Sequence, residues 1–251
     1  MADFNQHFIN RKNIKANSGN KKKAGKLRDK RAQERRDNHP IYILLDRYGR
    51  FLVIGALILI VLGFMTSALI TSHKNKVLML RGYQELDEGV TQWQSLVHQY
   101  AKENGIENYE EYLLAIIAVE TGGTKSADVM QSSESQGLLA NSLNEEESIK
   151  QGCLYFAALV AKARNAGCDM NTVVQAYNYG SDFIDYVSSN GDGVYSIDLA
   201  EKFAYEKSSG ATVSVDLPFA YQANGGWRYK FGNMFYVFEV NRYVKHQLKL
   251  R

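Results

Sequence analysis

The sequence predicts a mainly α-helical domain carried behind one N-terminal membrane-spanning helix. Three observations predict it. Phe51 to Thr71 runs for about 21 residues without a charge, enough to cross roughly 30 Å of hydrocarbon as a helix. Beyond it, apolar residues recur at helical spacing between polar caps and glycine stops, as between Asn144 and Gly167. Only Thr212 to Val215 reads as extended chain. The part after the apolar run, roughly 175 residues, is large enough to bury a core.

Residues 1–50 carry 14 Lys and Arg against 5 Asp and Glu, a net of +9, so with +3 overall the remainder carries −6. This basic arm has little to bury and is expected to lack fixed structure. Because it adjoins the apolar run, its charges set topology and meet anionic lipid; nucleic acid is not an expected partner. Residues 51–72 form the span, an uncleaved anchor rather than a signal peptide given the 50 residues before it. The N-terminus stays in the cytoplasm, and everything from about Ser72 lies outside the cytoplasmic membrane. Residues 73–106 read as one helix, Val77 to Asn104, either a stalk or the first helix of the domain; Gly82 and Gly89 weaken it. Residues 107–251 are the domain proper.

That domain is organised around Asn108 to Gln136. Asn108 with Glu111 has the capping-box spacing. Tyr112, Leu113, Ile116 and Ile117 repeat on one face, and Gly122-Gly123 stops the helix. Glu120 is left in the last turn, where the macrodipole is negative and the neighbours are apolar. Both raise its pKa, and a carboxyl that keeps its proton near neutrality is a general acid. Asn144 with Glu147 opens a helix to about Ala166, and Asn171 caps a short one through Ala176. More helix follows Ser181; Asn190 to Gly193 is a turn, and Ser196 caps Ile197 to Lys207. Ser208 to Trp227 is loop-like, and Asn233 caps a last helix to about Leu248. Cys153 lies roughly 20 Å along its helix from the helix end near Cys168, so two free, buried thiols are expected. His7, His39, His73, His98 and His246 are scattered, so neither a metal nor another cofactor is expected.

Three polar clusters recur: Glu120 with Gly122-Gly123, Asp128 through Ser135, and Gln175 through Gly180. Amides and hydroxyls bind sugar hydroxyls, tyrosines stack on sugar faces, and one protonated carboxyl can protonate a glycosidic oxygen. Taken together, Glu-x-Gly-Gly, Asp-x-Met-Gln-Ser-Ser-Glu-Ser and Ala-Tyr-Asn-Tyr-Gly resemble the lysozyme-like wall hydrolases of Gram-positive bacteria. That family includes the pneumococcal vaccine antigen A type and the muramidase domain of bifunctional conjugative-element hydrolases. The segment Gly226 to Val237 is similar to the family's C-terminal part, so the resemblance covers about Val90 to Val244.

The resemblance implies a lysozyme-like, goose-type lysozyme or lytic-transglycosylase fold that cleaves the β-1,4 bond between N-acetylmuramic acid and N-acetylglucosamine in peptidoglycan strands. Glu120 falls on the general acid, and Asp128 on the family's acidic position. Gln131, Ser132, Ser133, Glu134, Gln175, Tyr177, Asn178 and Tyr236 fall in or near positions that line the glycan cleft. Asp128, Glu134 and Asp182 are candidates for a second carboxylate; a lytic transglycosylase, slightly favoured over a hydrolytic muramidase, needs none. A glycan-binding scaffold with little turnover, at a division, conjugation or secretion complex, is the reading from another class. The chain ends at Arg251, where bifunctional relatives continue, so peptide cleavage is not expected.

Overall fold

The structure is a computed structural model that describes residues 23, 25–35, 48–49, 51, 53–67, 82–248 and 250. They belong to two compact units, residues 1–67 and 68–251.

In the first unit, residues 25–35 and 53–67 are helical. The first stretch departs from the expected lack of structure because Lys, Arg, Ala, Gln and Glu are good helix formers and no glycine or proline interrupts residues 26–35. The second carries exposed apolar side chains, among them Val53, Leu57, Leu59 and Phe64. Among the described residues no helix is long and apolar enough to cross a membrane. The expected span continues to residue 72, and its last part lies outside the described residues.

The second unit is built of α1 (Glu88–Thr91), α2 (Gln94–Glu103), α3 (Glu110–Glu120), α4 (Glu145–Asn165), α5 (Met170–Tyr179), α6 (Asp182–Asn190) and α7 (Ile197–Ser208). Strand β1 (Thr212–Ser214), α8 (Pro218–Asn224), β2 (Trp227–Tyr229) and α9 (Tyr236–Asn241) complete it. Helix α3 is the axis. Leu113, Ala115, Ile116 and Ile117 are fully buried, so this helix is apolar nearly all round, as a helix enclosed by others must be. It packs against α1, α2 and α9, while α4 packs on α2 and α5, and α5 on α6 and α9. The strands pair antiparallel, Thr212 opposite Tyr229 and Ser214 opposite Trp227, beside α7 and α8.

Several boundaries differ from the sequence reading. Asn108 caps nothing. It is exposed in a 3-10 turn, Glu107–Tyr109, which tightens because Ile106 and Tyr109 on either side are both buried. The single helix expected over Val77 to Asn104 is irregular at 82–87 and broken again between α1 and α2; residues 77–81 lie outside the described residues. At that second break the Trp93 indole donates to the Gly123 carbonyl at 2.9 Å. Asp169, not Asn171, caps α5: its carboxylate accepts from Thr172 N and Tyr195 N and ties two segments together. The helix then runs past Ala176 to Tyr179. Pro218 at the first position of α8 supplies a helix inside the expected loop. The final helix starts at Tyr236, with Phe235 and not Asn233 at its cap position, and stops at Asn241; Gln84 N donates to the Arg242 carbonyl, and Leu248 N donates to the Tyr112 hydroxyl in the tail beyond. The capping box at Asn144 and Glu147 and the Ser196 cap form as the sequence predicts.

After α3 the chain turns through Gly122 and Gly123 with φ of 62° and 77°. A Cβ on Gly123 would lie 2.0 Å from the Gly89 carbonyl oxygen, so α1 and this turn meet backbone to backbone. Gly123→Ala is therefore expected to destabilise the domain by about 3 kcal/mol, lowering Tm by roughly 6–12 °C in thermal unfolding. A Tm within 2 °C of wild type, on the order of experimental scatter, would show that the two backbones can part without cost.

Candidate active site

Glu120 ends α3, and its half-buried carboxyl opens onto a cavity of about 450 Å³. Burial pushes its pKa up to about 7; Glu239 and Asp128 push the same way, and the hydroxyl of Tyr236 opposes them. That hydroxyl donates to Glu120 Oε1 at 2.6 Å. Burial raises the tyrosine's own pKa far above its ordinary value, so it remains a donor. With Oε1 occupied, the acidic proton belongs on Oε2.

Besides Glu120, the cavity is lined by Gln131, Ser132, Glu134, Tyr177 and Asn178. Four other residues expected at the site do not line the cavity. Ser133 is fully buried and donates to Asp128 Oδ2 at 2.5 Å. Gln175 is fully buried, with its amide on the Asn233 carbonyl at 2.9 Å. Tyr236 stands behind Glu120, and Asp128 beneath the loop. The last turn of α5 accounts for part of this sorting: Tyr177 and Asn178 reach the cavity, while Gln175, on another face, reaches the core.

The sequence reading missed Tyr155 and Phe231 in the lining, and did not single out Ser135, Tyr179 or Gly180 from their clusters. Tyr155 had a usable signal, since it lies seven residues after Ser148 and four after Gln151, on one face of α4. Its ring packs 5.5 Å from that of Tyr177. Phe231 joins Tyr179 at 5.3 Å between ring centroids, and no local pattern marks it.

Asp128 was expected to take part in the chemistry, but its carboxylate is fully buried and fully engaged. It accepts from Ser132 N, Ser133 N, the Ser133 hydroxyl and the Ser148 hydroxyl at 2.9, 3.2, 2.5 and 2.6 Å. Burial alone would raise its pKa; these four donors outweigh burial and hold it below the usual carboxylate range. Asp128 thus folds the loop that carries Gln131. Gln131 has φ of 49°, and its amide donates to the Asp128 carbonyl at 3.0 Å and to Asn141 Oδ1 at 2.7 Å. Cys153 and Cys168 are free and buried, and burial pushes the Cys153 thiol up to about 12. Among the described residues no group of His, Cys, Asp and Glu could hold a metal ion.

The model of the family described as lysozyme-like matches residues 87–244, more than half of the chain. The chain belongs to the lysozyme-like family. The lysozyme-like domain is similar to the bifunctional muramidase/DL-endopeptidase CwlT of Bacillus subtilis, 36% identical over 157 residues, covering 62% of this chain and 42% of that protein. It is similar to a pneumococcal vaccine antigen A homolog of Streptococcus pyogenes, 34% identical over 160 residues, covering 61% of this chain and 79% of that protein. A crystal structure from Staphylococcus aureus, described as similar to a lipoprotein of the NLP/P60 family, shares 48% identity and a TM-score of 0.63. That match covers 65% of this chain and 55% of the other. The chain therefore spans under half of CwlT and about half of the staphylococcal protein.

Two outcomes follow for the lysozyme-like domain. Glu120 is raised from 4.5 to about 7, so between those values the folded state keeps a proton that the unfolded chain has lost. Stability falls as pH rises through that window and stays lower above it, by up to about 3 kcal/mol. Urea unfolding should show Glu120→Gln more stable than wild type at pH 8 by about this amount, with the gap largely closed near pH 4.5. An equal gap at both pH values would contradict it. Asp128 has the opposite sign: its contribution is present above the ordinary 3.8 and is lost as pH falls through its depressed folded value. Asp128→Ala leaves four donors without their acceptor and should cost about 3 kcal/mol at pH 7. Calorimetry measures this, and an unchanged Tm would remove Asp128 from the loop's support.

Proposed function

We propose that this chain is a peptidoglycan glycosidase that cleaves the β-1,4 bond between N-acetylmuramic acid and N-acetylglucosamine, with Glu120 as general acid and base. The observation that carries this reading is Glu120 itself: a carboxyl pushed up to about 7 by burial, opening onto a cleft of hydroxyls, amides and tyrosines. Such a cleft suits a polymer of N-acetylated sugars, and the muramidase named in CwlT supports the same bond.

We favour the lytic transglycosylase route. The Glu120 proton passes from Oε2 to the glycosidic oxygen as the bond to the anomeric carbon breaks. The resulting carboxylate then takes the proton of the muramic acid 6-hydroxyl as that oxygen bonds to the anomeric carbon. No water is consumed, and Glu120 ends as it began. The other acidic groups support this choice. Asp128 is occupied by four donors, and Asp182 is exposed and paired with Lys207 at 3.4 Å, outside the cavity lining. Glu134 does line the cavity and is the carboxylate that a hydrolytic muramidase would use.

The apolar run at 51–72 and its basic flank support a single-pass anchor with the N-terminus in the cytoplasm and the domain facing the wall. A tether confines cleavage to strands within reach of the membrane.

The test uses the full chain in detergent on isolated peptidoglycan, with Glu120→Gln as control and the products weighed before any reduction. Fragments ending in 1,6-anhydro-muramic acid support the transglycosylase. Fragments one water heavier replace it with hydrolysis. Release should fall as pH rises through about 7, the value at which Glu120 loses its proton. If a folded protein binds glycan and releases nothing, the domain is a scaffold.

A further inference from the structure

Outside the cavity lining, between α5 and α9, one asparagine uses every polar group it has. Asn233 N donates to Asn178 Oδ1 at 2.6 Å, and its carbonyl accepts from Gln175 Nε2 at 2.9 Å and from Tyr236 N at 3.0 Å. Its side-chain oxygen accepts from Phe235 N at 3.0 Å, and its side-chain amide donates to Glu239 Oε2. Two of these partners, Gln175 and Asn178, belong to the last turns of α5; the others enter or lie in α9. The fit beside it is close: Gly232 has φ of 48°, and a Cβ there would lie 2.6 Å from Asn178 Oδ1. One end of this node is therefore Asn178, which lines the cavity, and the other is Tyr236, whose hydroxyl meets Glu120.

We propose that Asn233 and Glu239 are positioning residues for the acid: Asn233 sets the turn that brings the Tyr236 hydroxyl to Glu120, and Glu239 holds the Asn233 amide while placing a negative charge behind the same carboxyl. Neither lines the cavity, so both act through Tyr236, Asn178 and the local field. This rests on the reading of Glu120 as the acid, but its physical content, the control of one carboxyl's titration, stands apart from turnover.

The charges around the pair fix the signs. Glu120 is faced by Tyr236 and Glu239 from α9, by Tyr177 from α5 and by Asp128 from the loop; Glu134 shares its cavity. Burial raises the pKa of Glu239, and Asn233, Arg242 and Arg228, which face it, offset part of that rise. A charged Glu239 repels the charged form of Glu120, whereas the Tyr236 hydroxyl stabilises it. Removing the charge and removing the support must move Glu120 in opposite directions. A role confined to stability would move it in neither.

The experiment follows the Glu120 side-chain carboxyl by carbon-13 NMR in the full chain in detergent, assigned by its disappearance in Glu120→Gln. Glu239→Gln keeps an acceptor for Asn233 and should lower the Glu120 midpoint by about half to one pH unit. In that uncharged background Asn233→Ala should raise the midpoint again, by about as much as Tyr236→Phe does. On peptidoglycan, Asn233→Ala should lower kcat by roughly tenfold or more with KM within about threefold, the pattern of a misplaced acid. Midpoints unchanged in both variants, or shifted in one direction by both, would overturn the proposal even if wild type cleaves glycan. If wild type cleaves nothing and the midpoints move as stated, the positioning holds and the enzymatic reading fails. A variant that unfolds is replaced by Asn233→Ser, which keeps the backbone bonds and should give the same sign.

Discussion

The hydrogen bond between Tyr236 and Glu120 sets two tendencies against each other. Burial at the end of α3 and the negative end of its macrodipole favour the neutral acid, and the tyrosine donor favours the anion. Burial without the donor would lock the proton on; the donor without burial would release it in mild acid. Their opposition leaves the group near neutrality, where giving and retaking a proton cost similar amounts. Much of the domain follows from keeping that balance. Helix α3 is enclosed as far as Ile117, its last residues are half-buried, and the glycine turn after Glu120 is pressed against α1.

The polar residues around the cleft divide by direction rather than by type. Gln131 and Ser132 stand at the cavity, while Ser133 and Asp128, neighbours in the same motif, are turned inward and hold the loop. Gln175 and Asn178 divide in the same way at the end of α5, one bonding behind the site and one forming its wall. A cluster that resembles a binding motif is thus half surface and half scaffold. Substitutions in the inward half will alter shape before they alter contacts.

This also explains what could be read from sequence. The raised pKa of Glu120 was legible because its causes are local: a helix end, a Gly-Gly stop and apolar residues one turn back. The Asn144 capping box was legible for the same reason, since three residues decide it. Direction was not. Asp169 caps α5 through Thr172, three residues on, and its second oxygen also accepts from Tyr195 N, 26 residues away, a contact that the sequence does not display. Tyr155 shares a face of α4 with Ser148 and Gln151 and could have been read, whereas Phe231 reaches the cavity only through the packing of the segment after β2. The long first helix is interrupted where its glycines weaken it, and at its second break the Trp93 indole bonds the turn after α3, a contact that no local propensity encodes. Asn233 was read as the cap of the last helix, but that helix starts at Tyr236 with Phe235 before it; the bonds of Asn233 join α5 and α9, which no local pattern shows.

Tyr236 and Glu120 are 116 residues apart in the chain. A protein made from its N-terminus presents the carboxyl long before its partner exists, and before the segment that closes the back of the cleft. In the unfolded chain Glu120 is a solvated side chain with an ordinary affinity for protons. An unfinished or unfolded copy then lacks the contact between Tyr236 and Glu120. The raised proton affinity of Glu120 is thus a property of the finished fold and not of the helix that carries it.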